Sequence, residues 1–343
     1  MKMFRTVSGV GLGLALLAGG CGGQTDSRLV ESSDPRLREL AASLLPDLAL
    51  RSGMELTAPV RLERRSREEL VRYLEYKLDQ ELPPEEARAR VEAYSLLGLV
   101  PADLDLRSVL LGLYTEQVAG FYEPDSTALF VMDDQPEADV EALLVHELVH
   151  AVQDQSVDLS AITDPDLGSD RATAAHAAIE GHATLVMLEY MYEQAAGAPV
   201  DLSEIPDLGA LIGPALQAST QFPALAAAPR VIRESLIFPY VQGAGFVQRL
   251  GTEGERVAPF GPALPASTEE ILAPGAAAPI DLMLTVGGGE VVQEDVLGRF
   301  ELEVFLDEVL GPSHAMLATA WEGDRYALVD TGEDSRSLVS VIL

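Results

Sequence analysis

The most informative part of this chain is the stretch Val140-Glu-Ala-Leu-Leu-Val-His-Glu-Leu-Val-His-Ala-Val-Gln-Asp-Gln155. Its apolar residues cover several faces of a helix, so we predict a largely buried helix from Asp139 to Gln155. Residues four apart lie on one face, so His146 and His150 can both point a ring nitrogen at one metal ion. A buried helix with such polar side chains on one stripe needs a partner for them.

The pattern His146-Glu147-x-x-His150 is typical of zinc metallopeptidases. Glu147 lies next to His146, where it can hold a water at the metal and accept its proton. The alternative is structural: the two histidines are satisfied by hydrogen bonds within the core or face water. A catalytic zinc ion takes three protein ligands and leaves one position for water, so the pattern predicts a third ligand downstream.

The candidates for the third ligand lie in a second predicted helix, from Arg171 to Ala195. This segment contains His176, Glu180 and His182. Glu180 and His182 are two residues apart, or about 200° around a helix, so they cannot both face the same ion. His176 and Glu180 are four apart and can, and both residue types are zinc ligands. The spacing therefore leaves Glu180 and His176 as alternatives.

A hairpin is predicted just before the first of these helices, in Gly120 to Met132. Its turn is Pro124-Asp-Ser126, and its second strand is Ala128 to Met132. In zinc peptidases of this type, an edge strand beside the metal commonly pairs with an extended substrate through main-chain hydrogen bonds. We therefore expect the second strand to be a candidate peptide-binding edge; the alternative is an ordinary structural hairpin.

The first residues resemble an export signal, with basic residues at the start, an apolar run from Val7 to Ala18 and small residues before Cys21. The apolar run is shorter than the about 20 residues that span a membrane. Leu17-Ala-Gly-Gly-Cys21 is similar to a bacterial lipoprotein processing site, which predicts a signal peptide at 1–21 and a lipid on Cys21. The protein is then extracytoplasmic and anchored in the bacterial cell envelope; a secreted protein with a cleaved signal is the alternative.

The composition indicates a globular protein with a strong negative charge. Hydrophobic residues make up 48% of the 343 residues, and the formal net charge is −32. This charge argues against nucleic acid or an anionic membrane surface as a partner. Cys21 is the only cysteine, so no disulfide can form within the chain.

The pattern along the chain indicates a tether followed by one folded domain. Residues 22–35 are polar and aperiodic, which is typical of a tether. The domain at 36–343 has a helical portion at 36–115, the candidate metal ligands at 116–195, and a C-terminal portion at 196–343. Helices combined with a hairpin predict an α+β fold that is mostly helical, with a small sheet beside the predicted helix that carries His146 and His150.

Several motifs resemble known families. H-E-x-x-H followed by a helix with Glu180-Gly-x-Ala183 looks like the glutamate-liganded zinc peptidases, the gluzincin-type zincins. The chain is also similar to uncharacterised bacterial and archaeal lipoprotein-like proteins over most of its mature length. The shared segments are Gly120 to Pro124, His146 to Gln155, Glu180 to Ala183, Phe238 to Gly243 and Trp321 to Tyr326. The resemblance implies a zincin-like fold, zinc as the cofactor and Glu180 as the third ligand.

The resemblance also implies peptide-bond hydrolysis, with a peptide or protein as the substrate. Glu147 would be the general base. Tyr240, Arg325 and Tyr326 lie in the shared segments and have the chemistry to stabilise the transition state, although each is also a candidate core or packing residue. If Glu180 binds zinc, His176 on the same helix face would reach the water or the substrate.

Two departures from the family pattern concern the surroundings of the ligands. His182 replaces the usual acid after Glu-Gly, which predicts an additional or tuning role at the site. Thr184 stands where thermolysin-like enzymes carry a carboxylate, so the acceptor that orients His146 must come from elsewhere. Asp154, one turn after His150, is the candidate; a helix cap or a surface position is the alternative.

A different class of function also fits the sequence: a lipid-anchored binding or scaffold protein with a structural or degenerate zinc site. The intact set of His146, Glu147, His150 and Glu180 argues against it, because a structural site has no need for Glu147. An open metal position filled by water would distinguish the enzyme from the scaffold.

Overall fold

The structure is a computed structural model, and it describes residues 8–10, 27–202, 205, 208–209, 212–213, 222–251, 257–273, 275–332 and 335–343. Within these residues the protein is mostly helical and has two small sheets, which confirms the α+β class. The helices with the candidate ligands pack against each other, and the first of them also packs against the larger sheet.

The helices include two long ones that carry the candidate ligands, α5 and α7. In chain order the helices are α1 Pro35–Ser52, α2 Arg67–Glu81, α3 Pro84–Leu96, α4 Leu106–Gln117, α5 Val140–Asp154, α6 Leu159–Ile162, α7 Ser169–Ala196, α8 Pro223–Ala227, α9 Arg230–Leu250, α10 Thr268–Leu272, α11 Gly298–Leu310 and α12 Pro312–Ala315.

The strands form two sheets. In chain order they are β1 Ser8–Val10, β2 Val30–Glu31, β3 Val60–Arg65, β4 Val118–Glu123, β5 Ala128–Met132, β6 Glu290–Asp295, β7 Asp324–Gly332 and β8 Ser335–Ile342. The larger sheet has the order β1-β4-β5-β3-β2, in which β3 is parallel to β2 and β5, and β4 is antiparallel to β1 and β5. The smaller sheet is antiparallel, with the order β6-β7-β8.

Helix α5 lies at the centre of the arrangement, and its predicted extent, Asp139 to Gln155, is confirmed to within one residue at each end. Leu144, Leu148 and Val152 are fully buried, and the helix contacts α1, α7, β4 and β5. This burial on several sides follows from apolar residues at most positions of the helix. The polar side chains of α5 must therefore find their partners inside the protein.

Helices α7 and α9 cross in very close contact at a pair of glycines. A Cβ atom on Gly181 of α7 would lie 2.0 Å from the carbonyl carbon of Gly243 in α9. A Cβ atom on Gly243 would in turn lie 2.0 Å from the carbonyl oxygen of Ala177. Because only glycine lacks this atom, the crossing requires both glycines. The crossing also sets the position of Tyr240, which lies about one turn before Gly243 on α9.

The hairpin predicted in Gly120 to Met132 is confirmed, because β4 and β5 pair antiparallel with Phe121 opposite Phe130. The expectation that its second strand offers a peptide-binding edge is wrong. β5 lies between β4 and β3, and all its residues are buried. The outer neighbour of β4 is the short strand β1, at residues 8–10. The outer strand of the hairpin is therefore β4, and its outer edge is the one that pairs with β1.

Two segments near the N-terminus differ from the prediction. β3 interrupts the portion at 36–115, which was expected to be helical; Val60 and Leu62 alternate with charged residues, and their burial in the sheet favours a strand. Part of the predicted tether at 22–35 is folded, because β2 pairs with β3 and Asp34 caps the start of α1. Long-range pairing of this kind leaves little trace in a local sequence pattern.

The predicted signal peptide at 1–21 lies outside the described residues except for residues 8–10, and Cys21 lies outside them too. Residues 22–26 of the predicted tether are likewise not described. In the described part of the chain, no helix is both long and apolar enough to span a membrane.

Buried carboxylates attach the C-terminal part of the chain to the start of α7. Asp295 accepts hydrogen bonds from the main-chain N–H of Ser169, at 2.9 Å, and from its hydroxyl. Asp170 accepts a hydrogen bond from the main-chain N–H of Thr268, at 3.1 Å, and another from its hydroxyl. Because Ser169 and Asp170 are the first residues of α7, these bonds fix the beginning of the helix that carries Glu180.

Candidate metal centre

Three side-chain atoms from α5 and α7 meet in a buried cluster. Nε2 of His146 lies 3.1 Å from Oε2 of Glu180 and 3.2 Å from Nε2 of His150. The distance from His150 Nε2 to Glu180 Oε2 is 3.5 Å. All three residues are buried, and the structure thus brings together the ligand set expected from the sequence and its resemblance.

The two helices explain how this cluster forms. His146 and His150 are four residues apart, so they lie on the face of α5 that packs against α7. Glu180 lies in the middle of α7, where that helix passes α5. Helix positions hold the three side chains more firmly than a loop would, because their backbone is fixed by hydrogen bonds and by packing on several sides.

The cluster has the composition and size of a metal site. Two imidazole nitrogens and a carboxylate oxygen are common zinc ligands, and a tetrahedral ion with bonds of about 2.0–2.1 Å holds its ligand atoms about 3.3 Å apart. The distances between the three ligand atoms, 3.1 Å, 3.2 Å and 3.5 Å, lie around this value. The other oxygen of Glu180, Oε1, is buried without a hydrogen-bond partner. The group could therefore bind a metal ion.

Glu147 is completely buried beside the cluster. Its Oε2 accepts a hydrogen bond from the main-chain N–H of Tyr122 in β4, at 3.0 Å, whereas Oε1 has no hydrogen-bond partner. Burial raises the pKa of Glu147 well above its usual range, against the opposing effect of His150. A cation on the neighbouring ligands would lower this pKa again, because it favours the ionised carboxylate.

The charges of the cluster favour a cation at its centre. Burial opposes ionisation of Glu180, but His150 and His146 outweigh it and hold the pKa of Glu180 well below its usual range. Burial also disfavours a charged His150, but Glu180 and Glu147 reverse this effect and raise its pKa to about 9. The two buried carboxylates therefore stabilise positive charge at this point, whether it is carried by a proton or by a metal ion.

Two further predicted residues lie beside the cluster. Nε2 of His176 is 3.8 Å from Oε1 of Glu180, one turn earlier on α7. Tyr240 is buried on α9, and the centre of its ring is 6.0 Å from that of His146. Both residues therefore lie close to the three candidate ligands. Between the two candidates for the third ligand, the structure puts Glu180 in the cluster and His176 next to it.

The structure places His182 outside the ligand cluster and corrects the expected role of Asp154. The Nε2 atom of His182 donates a hydrogen bond to the main-chain oxygen of Ser52, at 3.1 Å, and its Nδ1 lies 3.0 Å from Nε2 of Gln153. The expectation that Asp154 orients His146 is wrong, because its carboxylate accepts a hydrogen bond from the hydroxyl of Tyr122, at 2.8 Å. The partner of Asp154 thus lies in β4, 32 residues earlier in the chain, so spacing along α5 does not reveal it.

Gln153 is the residue that sequence reasoning missed. Its Oε1 accepts a hydrogen bond from Nδ1 of His150, at 2.8 Å, whereas the role expected of Asp154 concerned His146. The available signal was its position three residues after His150, since residues three apart on a helix are neighbours.

Arg325 and Tyr326 are not brought to the cluster, contrary to the expectation that they contribute to catalysis. Arg325 donates hydrogen bonds to Asp281, at 2.8 Å, and to Glu294, at 3.1 Å. Tyr326 is buried, and its pKa is raised well above the usual range by burial and by the charge of Asp295. Both residues lie on β7, the middle strand of the C-terminal sheet, and their contacts there explain them as structural residues.

No protein-family model matches this sequence, and comparisons with curated proteins and with solved structures also find no match. The function is therefore inferred from the geometry and chemistry of the residues themselves.

Proposed function

We propose that this protein is a zinc-dependent peptidase with a zincin-like fold. The observation that carries the proposal is the buried group of His146, His150 and Glu180, with the unpartnered carboxylate oxygen of Glu147 beside it. Two histidines and a glutamate are a ligand set of catalytic zinc, whereas structural zinc sites are closed by four protein ligands. The Glu147 carboxylate is buried beside the ligands but is not one of them, and its free oxygen could accept a proton and return it during catalysis.

In the proposed hydrolysis, each residue of the site has a separate role. Zinc, when bound, would polarise the scissile carbonyl and make a nearby water more acidic. Glu147 takes the proton of the attacking water and delivers it to the leaving amine. The N–H of Tyr122 holds one oxygen of this carboxylate and leaves the other for the water. Tyr240, whose ring centre is 6.0 Å from that of His146, would donate a hydrogen bond to the developing oxyanion.

The outer edge of β4 supports a peptide as the substrate. Residues 8–10 pair antiparallel with β4 at this edge, with Ser8 opposite Tyr122. Tyr122 is also the residue whose N–H contacts Glu147, so an extended chain at this edge passes beside the general base. Main-chain hydrogen bonds of this kind bind peptides of varied sequence. Once the predicted signal peptide is removed, a substrate would take the place of residues 8–10.

We also propose that the protein acts outside the cytoplasm, anchored to the cell envelope by a lipid on Cys21. This proposal depends on the apolar N-terminal run and on the residues before Cys21. The substrate would then be an extracytoplasmic peptide or protein. The net charge of −32 disfavours nucleic acid as a partner.

Removal of zinc should abolish hydrolysis reversibly. The full-length protein, purified in detergent without chelators, is incubated with a peptide mixture of varied sequence, and the products are identified by mass spectrometry. We expect cleavage that a zinc chelator stops and that added zinc restores, because the attacking water and the carbonyl both depend on the ion. Protein that is folded and saturated with zinc but cleaves no peptide would instead support the alternative, a lipoprotein with a non-catalytic zinc site.

A further inference from the structure

Gln153 makes three buried contacts beside the candidate metal cluster, and a fourth contact, made by His182, extends them to a third helix. Its Oε1 lies 2.8 Å from Nδ1 of His150 on α5. Its Nε2 lies 3.1 Å from the main-chain oxygen of Ile179 and 3.0 Å from Nδ1 of His182, both on α7. His182 continues the chain of bonds to the main-chain oxygen of Ser52, the last residue of α1, at 3.1 Å. Gln153 is fully buried and His182 almost so.

The last acceptor in this series of hydrogen bonds, the main-chain oxygen of Ser52, determines the direction of the others. The oxygen of Ser52 can only accept, so Nε2 of His182 carries the hydrogen. In the neutral ring, Nδ1 of His182 is then the acceptor, and the amide group of Gln153 donates to it. The oxygen of Ile179 also accepts only, and it takes the second hydrogen of the same amide group.

Gln153 therefore has one allowed orientation. Both hydrogens of its amide group are used by acceptors on α7, so its oxygen must face His150. Turning the amide by 180° would put its oxygen against the oxygen of Ile179, and a buried pair of acceptors costs free energy. Nδ1 of His150 must then carry a hydrogen, so in the neutral ring Nε2 is the nitrogen with a free electron pair, on the side of His146 and Glu180.

We propose that Gln153, held in place by His182, is a positioning residue that keeps His150 in the tautomer able to bind a metal ion. Neither residue touches the metal or the substrate. Gln153 acts on His150 directly, and His182 acts through Gln153. The oxygen of Ser52 anchors the relay at the C-terminal end of α1, where main-chain oxygens lack partners within the helix. The inference depends on the proposed metal site, but it does not require that the protein be a peptidase.

The test compares zinc affinity in two glutamine variants of the full-length protein, measured by competition with a chelator of known affinity. Gln153→Met keeps the volume of the side chain but loses its hydrogen bonds. We expect it to weaken zinc binding by about 10–100-fold, the usual effect of removing a residue that orients a ligand. The matched control is Gln155→Met, which loses hydrogen bonds to Thr57 and Ala58 but does not touch a ligand. We expect it to bind zinc like the unchanged protein.

His182→Phe and the double variant Gln153→Met/His182→Phe separate the two roles. If His182 acts through Gln153, His182→Phe weakens zinc binding and the double variant is no weaker than Gln153→Met alone. Independent, additive losses would overturn the relay. Equal zinc affinity of Gln153→Met and Gln155→Met would overturn the positioning role of Gln153, even if thermal unfolding shows that Gln153→Met is less stable.

The outcomes also distinguish this inference from the proposed function. Zinc binding that depends on Gln153 in a protein without hydrolytic activity supports the inference and contradicts the peptidase. Hydrolysis that is zinc-dependent, with affinity unchanged in Gln153→Met, supports the peptidase and contradicts the inference. A protein that takes up no zinc contradicts both.

Discussion

Replacement of Glu147 by glutamine should abolish peptide hydrolysis and leave zinc binding intact. Glutamine has nearly the same size, and its oxygen can still accept the N–H of Tyr122 that Oε2 of Glu147 accepts now, at 3.0 Å. It cannot take a proton from water. Because a positioned general base contributes about 10²–10⁴-fold to the rate, we expect kcat to fall by at least that factor. Zinc content and thermal unfolding of the same samples show that the site and fold persist.

Glu141→Gln is the matched control for Glu147→Gln. Glu141 lies on the same helix, but its carboxylate accepts a hydrogen bond from the hydroxyl of Tyr190, at 3.0 Å, and is not part of the cluster. We expect Glu141→Gln to hydrolyse peptides at the rate of the unchanged protein. If the two variants have the same kcat, Glu147 is not the general base.

A Gly243→Ala substitution should destabilise the fold strongly. The added Cβ atom would lie 2.0 Å from the carbonyl oxygen of Ala177, a main-chain atom that cannot rotate away. Helices α7 and α9 would have to separate, so we expect a loss of about 3 kcal/mol or more, at the upper end for overpacking. The separation would also move Tyr240 away from His146. Thermal or denaturant unfolding measures the loss; failure to obtain soluble protein would agree with it.

Gly112→Ala provides the control for this helix substitution. Gly112 lies within α4, and a Cβ atom there would meet no other atom within 4 Å. Alanine is the better helix former by about 1 kcal/mol, so this variant should be as stable as the unchanged protein or slightly more stable. A Gly243→Ala protein that unfolds at the same temperature as Gly112→Ala would show that the close crossing of α7 and α9 does not exist.

The sequence predicts the two helices that carry the candidate ligands well, because their signals are local. In α5, apolar residues on several faces indicate a buried helix, and four-residue spacing puts His146 and His150 on one face. The hairpin of β4 and β5 is equally local, since its turn lies in Pro124-Asp-Ser126. Spacing alone could not choose between His176 and Glu180, because both lie on the same face of α7. The family resemblance favoured Glu180, and the packing of α7 against α5 brings it into the cluster.

The errors concern contacts between distant segments. β3 was missed because its pairing with β5 and β2 comes from far along the chain, while its arginine and glutamate residues also suit a helix. Arg325 and Tyr326 were given catalytic roles because they lie in a shared motif, but β7 belongs to the other sheet. Gln153 was overlooked because its role depends on two partners on α7, Ile179 and His182, which spacing along α5 cannot reveal.

The most direct test of the account is the zinc content of the full-length protein, measured by elemental mass spectrometry together with Glu180→Ala and His176→Ala. The account predicts about one zinc ion per chain, its loss in Glu180→Ala and its retention in His176→Ala, because three protein ligands hold a catalytic zinc ion. Absence of zinc after purification without chelators, and no uptake on titration, would contradict the metal site. Loss in His176→Ala with retention in Glu180→Ala would contradict the ligand set.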